Sequence, residues 1–138
     1  MNRVTFQVLS ETRREEASAL LSAGHYPGAY YLAGYAVECA LKACVAKQVR
    51  QFDFPDKKLA NAAFTHDLEQ LVKVAGLETD LEQAMRNNKN LELNWTIVKD
   101  WSEQARYQPR ISRAKARDFL SACSAPRNGI LSWVKRRW

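Results

Sequence analysis

Gly28–Arg50, GAYYLAGYAVECALKACVAKQVR, is the stretch whose reading decides the fold. It contains no proline and one internal glycine, Gly34, so nothing interrupts a helix over its whole length. Such a helix would be roughly 35 Å long, enough to cross a small domain. Apolar and small residues occupy most of its circumference, the pattern of a helix buried within a bundle rather than lying on its surface. Ala29, Ala33, Gly34, Ala36, Ala40 and Ala43 permit close approach of neighbouring backbones, and Leu32, Val37, Leu41 and Val45 fill the spaces between them. One sector differs: at about 100° per residue, Tyr31, Tyr35, Glu38 and Lys42 share a face. A carboxylate and an ammonium on so apolar a helix are costly unless paired, and Glu38 precedes Lys42 by the favourable four-residue step.

On the N-terminal side, Met1–Leu9 has mixed polarity and reads as an extended arm or a frayed start. Ser10 or Thr12 caps a first helix whose early turns carry Glu15 and Glu16 and whose apolar stripe is Ala17, Leu20 and Leu21. Ala23-Gly24 stops it, and Gly24-His25-Tyr26-Pro27 makes a tight connection into the long helix, giving an antiparallel hairpin. On the C-terminal side, Gln51–Phe64 has no sustained period and reads as a loop pinned to the core by Phe52 and Phe54. Thr65 caps a third helix that ends at Gly76, and Thr79 with Glu82 forms a capping box for a fourth that ends near Asn87–Asn90. Asn94–Glu103 is a short segment bearing Trp95, Val98 and Trp101. Arg106–Arg110 is a loop, since Gln108 precedes Pro109. Ser112 caps a helix from Arg113 to about Cys123, and Gly129 precedes a short apolar turn that leads to a basic tail, Lys135-Arg136-Arg137.

A chain of 138 residues is one domain with enough length for a core. Its net charge of +6 favours anionic partners, although a basic protein without a specific partner stays open at this point. No apolar run approaches the roughly 20 residues that span a bilayer. The N-terminus lacks the apolar core of a signal peptide, so no membrane partner and a cytoplasmic location are expected. Cys39, Cys44 and Cys123 are odd in number and contain no CxxC pair, which argues against a disulfide framework or a zinc site. His25 and His66 are the only histidines, and neither a metal nor another cofactor is expected.

The run Ala17–Lys42, with Gly24-His25-Tyr26 leading into AYYLAGYAVECALKA, resembles the second-helix region of HEPN domains (higher eukaryotes and prokaryotes nucleotide-binding). The likeness continues through Thr65-His66-Asp67-Leu68, Trp101, Arg106-Tyr107 and the ending GILSWVKRRW. It implies an all-α, antiparallel helical bundle over residues 1–138, with four to five main helices and a short C-terminal one. The family includes ribonuclease toxins, nucleotide binders and inactive members. Its ribonucleases carry an arginine followed within a few residues by a histidine: the imidazole moves protons near neutral pH and the guanidinium holds the scissile phosphate. Arg127-Asn128 looks like the start of that motif, but Ser132, Trp133 and Val134 stand where the histidine would be. We read Arg127-Asn128 as a polar turn; with His66, these residues are the only catalytic candidates.

Arg106-Tyr107, with Arg110 just beyond, is the strongest anion-binding candidate, since two guanidiniums and a phenol on one loop suit a phosphate and a base. The Tyr31, Tyr35, Glu38, Lys42 face lines the same pocket or a dimer seam, or forms a polar network inside the bundle, and Arg106 either holds the anion or pairs with an acid such as Glu38 and braces the bundle, or does both at one site. Two functions follow from the resemblance. One is a nucleotide- or RNA-phosphate-binding module that works with a minimal nucleotidyltransferase in a toxin–antitoxin-type system. The other is a metal-independent endoribonuclease with a non-standard site. The missing histidine favours the first. A homodimer is expected, with the tryptophan-rich C-terminus as its contact surface.

Overall fold

The computed structural model describes residues 1–138 and contains helices and turns but no strand. The first helix, α1, spans Arg3–Ser22, so the arm expected over Met1–Leu9 is helical almost from its start. The cap is neither Ser10 nor Thr12 but Asn2, whose side chain accepts from the Thr5 N–H at 2.9 Å. Ser10 is instead buried and donates its hydroxyl to the Ala36 carbonyl at 2.8 Å, a bond to the next helix. At the other end of α1 the backbone turns left-handed at Gly24 (φ 84°). The N–H groups of Gly24 and His25 then satisfy the carbonyls of Leu21 and Leu20, closing the helix as a Schellman motif.

Helix α2 follows at once, Tyr26–Lys47, with Pro27 in its first turn where a missing N–H costs nothing. Gly28 faces Leu20 and Ala36 faces Ser10, so α1 and α2 run antiparallel as expected. Twelve residues of α2 are buried, and they reach every layer of the core. The remaining elements wrap around it: α3 Lys57–Ala62, α4 Leu68–Val74, α5 Glu78–Asn87, α6 Lys89–Val98, a 3-10 turn Glu103–Tyr107, α7 Arg113–Ser124 and α8 Ile130–Lys135. Leu68, Leu71 and Val72 of α4 and Phe119 and Leu120 of α7 close on α2, and Leu91, Trp95 and Val98 of α6 extend the core where α6 packs on α7 and α8. Ile130, Leu131, Trp133 and Val134 make α8 a core element despite its length. No helix is long and apolar enough to cross a membrane.

Several local expectations are corrected. Asp67, not Thr65, caps α4 by accepting from the Gln70 N–H, while the Thr65 hydroxyl accepts from the Asp67 N–H. Helix α5 begins at Glu78 with no side-chain cap, so Thr79 lies inside it. The loop expected over Gln51–Phe64 contains α3, capped by Asp56. Phe52 and Phe54 do not pin that loop: they are 95% and 94% exposed, because the chain turns left-handed at Phe52 (φ 72°) and lifts both rings off the core. Nor is the C-terminus a solvated tail. Lys135 pairs with Glu11, and Arg137 Nε meets Asp80 at 2.6 Å. Lys47 donates to the Arg137 carbonyl at 3.2 Å and Arg3 to the Trp138 carbonyl at 2.5 Å. Trp133, placed at the expected dimer surface, is buried within the protomer.

All three cysteines are free and buried. Burial pushes the Cys39 and Cys44 thiols up to about 11, and Cys123 higher still, so at neutral pH they are apolar fillers rather than nucleophiles.

Candidate functional site

Glu38 is the one buried carboxylate of the bundle, 1% exposed at the middle of α2. Its partners come from two directions. Lys42, one turn on, holds its ammonium 3.9 Å from Oε1, the pairing expected from the four-residue step. His66 hydrogen-bonds the same oxygen through Nδ1. The turn that delivers His66 is fixed on both sides, by the Thr65 hydroxyl and by the Asp67 cap. Arg106, one expected partner of Glu38, does not reach it. His66 takes that place, and its ring remains about half exposed (48%).

Glu38, Lys42 and His66 form the polar floor of a cavity of about 800 Å³. Tyr35 and Cys39 join the floor, and Phe6, Phe54 and Phe64 stand among its apolar walls. Burial raises the Tyr35 phenol, and the neighbouring Cys39 and Glu38 raise it further, so the hydroxyl is a neutral hydrogen-bonding group. His66 also lines a second, polar cavity of about 400 Å³ between the start of α4 and the 3-10 turn.

Around the helix from Glu38, the aromatic side chains form a ladder. Tyr35 stacks on Tyr31 with centroids 6.1 Å apart, and Tyr31 stacks on Trp101 at 6.0 Å. The Trp101 indole fits where Gly34 has no side chain; a Cβ there would overlap the ring. Trp101 in turn leads into Ser102, which caps the 3-10 turn by accepting from the Gln104 N–H. That turn presents Arg106, exposed, with its guanidinium 4.8 Å from the centre of the Tyr107 ring. Hydrogen bonding to Tyr107, and beyond it to Tyr31, strengthens the hold of Arg106 on its proton. Neither Arg106 nor Arg110 is in an ion pair.

The seven residues expected on one pocket therefore fall into two neighbouring groups. Tyr35, Glu38 and Lys42 belong to the cavity with His66, and Tyr31 stands with Arg106 and Tyr107 on the adjoining surface, with Arg110 exposed three residues further along. Sequence reasoning missed the continuation of that surface. From Gln104 to Arg117 the chain carries Arg106, Arg110, Arg113, Lys115 and Arg117 with no acid among them. The Lys115 ammonium lies 5.3 Å from the Tyr30 ring. The acid-free run was visible in the sequence; its alignment with the tyrosines of α2 was not.

Arg127 and Asn128 form a turn, as read from the sequence, and Asn128 ties it to α6 and its cap. Its side-chain oxygen accepts from Asn88 at 2.8 Å and its carbonyl from Asn94 at 2.7 Å. Arg127 is exposed and, with Arg136, Arg137, Asp80 and Trp133, lines a cavity of about 610 Å³. The Arg137 guanidinium sits 3.8 Å from the centre of the Trp133 ring. Ser132, Trp133 and Val134, the three positions open to the imidazole of an arginine–histidine pair, thus hold a hydroxyl, a buried indole and an aliphatic side chain.

Fold and site define an all-helical protein with a buried glutamate on its central helix and an unpaired arginine–tyrosine surface beside it. The family model described as HEPN domain matches residues 10–137, nearly the whole chain, and the protein belongs to the HEPN domain family. No curated protein and no solved structure gives a significant match. Membership supports a nucleotide- or RNA-related module.

Proposed function

We propose that this chain binds the phosphate of a nucleotide or of single-stranded RNA through Arg106, Arg110 and Tyr107, as a homodimeric module that works with a minimal nucleotidyltransferase in a toxin–antitoxin-type system. The observation that carries the reading is the state of Arg106: exposed, without a carboxylate partner and held against an aromatic ring. A guanidinium so placed offers its planar donors to phosphate oxygens two at a time. The tyrosine beside it supplies a stacking surface for a base. Because Glu38 is already partnered by Lys42 and His66, Arg106 is not needed as a brace.

Arg106→Ala is therefore expected to weaken binding of a short single-stranded RNA about tenfold while changing stability by less than about 0.5 kcal/mol, the usual range for an exposed side chain. The salt dependence of binding should flatten by about one phosphate contact. A titration and a melt on the same variant check both; unchanged affinity would remove Arg106 from the site. The nucleotidyltransferase part is tested separately, by whether a small nucleotidyltransferase is encoded beside this chain and forms a stable complex with it.

One observation favours an endoribonuclease instead. His66 pairs a half-exposed imidazole with a buried carboxylate, an arrangement that suits a general base. With no histidine at Ser132, Trp133 or Val134, the expected result is no cleavage of single-stranded RNA in chelator. Cleavage that is lost in His66→Ala would reverse the assignment and make this pair the catalytic one.

A further inference from the structure

The apolar face around the 800 Å³ cavity has no occupant in the monomer. Met1, Val49, Phe54 and Phe64 stand at its mouth, and Phe52 projects beside it. Phe52, Phe54 and Phe64 are 95%, 94% and 74% exposed. At about 150–250 Å² per buried aromatic side chain, these three rings alone present roughly 500 Å². That is as large as the whole apolar patch of a typical monomer, and most of the roughly 800 Å² per partner that a stable interface buries.

Three features select the occupant. The first is area, as just given. The second is shape: the same face carries a projection, Phe52 on its left-handed turn, and a hollow beside it. A two-fold contact needs such a pairing on one surface, because each copy must supply both halves. The third is charge. Asp53 and Asp56 line the cavity, and the exposed Arg50, Lys57 and Lys58 flank them in the chain. Both acids are held in place, Asp53 by the Arg50 N–H and Asp56 as the α3 cap. This near balance, in a chain of net charge +6, suits neither a nucleic acid nor an anionic lipid surface. It suits a surface that meets itself, with cations opposite carboxylates.

We propose that this face is the seam of a two-fold homodimer in which Phe52 of each copy enters the cavity of the other, above Glu38, Lys42 and His66. The proposal rests on the homodimer reading above and gives it a location away from the C-terminal tryptophans. Each copy then completes the other's cavity, and the half-exposed His66 ring is covered only in the dimer.

Sedimentation of the whole chain between nanomolar and micromolar concentration tests it, on wild type, Phe52→Gly and the double variant Phe52→Ser, Phe54→Ser. Wild type is expected at twice the 15.8 kDa chain mass. Phe52→Gly relieves the left-handed backbone in the monomer, so it folds at least as well while losing the projecting ring. Its dimer dissociation constant should rise at least about 30-fold, the size of a 2 kcal/mol hot spot. The double variant should stay helical by circular dichroism and sediment as a monomer. A monomeric wild type at micromolar concentration would overturn both this seam and the homodimer reading. Dimers of unchanged affinity in both variants would overturn the seam alone.

Discussion

Glu38→Ala is expected to destabilise the protein by about 3 kcal/mol, the lower end of what removing one member of a buried pair costs. The substitution leaves Lys42 with its ammonium largely inside the bundle and no carboxylate, since its one ion pair is with Glu38. It also removes the acceptor that holds His66 against α2. A loss of this size lowers the melting temperature by roughly 10 °C in a domain of this length. The comparison that tests the cause is Glu38→Met with Lys42→Met. If the cost comes from an orphaned charge, removing both charges and keeping the volume should recover most of the loss. If the double variant melts as low as Glu38→Ala, the damage comes from the lost His66 tether instead.

Gly34→Ala should cost about 3 kcal/mol as well, although alanine in a helix interior is normally preferred to glycine by about 1 kcal/mol. The reason is the Trp101 ring, which a Cβ at position 34 would overlap at three of its atoms. The indole is buried and stacked on Tyr31, so it has no flexible end to swing aside. It must leave its slot, and the loss approaches that of a buried tryptophan. Tryptophan fluorescence should shift to the red at temperatures where the variant is still helical. The 3-10 turn follows Trp101 directly, so the same variant should lose RNA affinity along with Arg106→Ala. Normal stability and an unshifted spectrum would show that the slot is looser than its geometry indicates.

What was legible in the sequence follows a physical division. Gly28–Arg50 could be read because a helix buried on nearly all sides has no other explanation for its composition. Gly24 and Ser112 could be read because the backbone conformations at a helix end suit few residues. The start of α1 could not. Its first turns hold Val4 and Val8 on an exposed side, so the apolar period begins only further along. Phe52 and Phe54 were misread because an aromatic ring is assumed to bury itself, and a single left-handed residue reverses that. The site divides in the same way. Lys42 was legible as the partner of Glu38 because a helix fixes residues four apart. His66 was not, because its approach from 28 positions along the chain depends on how α3 and α4 are hung on the bundle.

The position of α8 bears on the order in which the molecule comes together. Helices α1 and α2 are neighbours in the chain, and the three-residue connection Ala23–His25 lets them meet with little loss of chain entropy. Cys44 and Val134, by contrast, touch across 90 residues, as do Lys47 and Arg137. The last side of α2 is therefore covered by the most distant segment, after the longest loop has closed. Until then the hairpin carries an open apolar flank, which makes the unfinished bundle the species most exposed to aggregation and to chaperones.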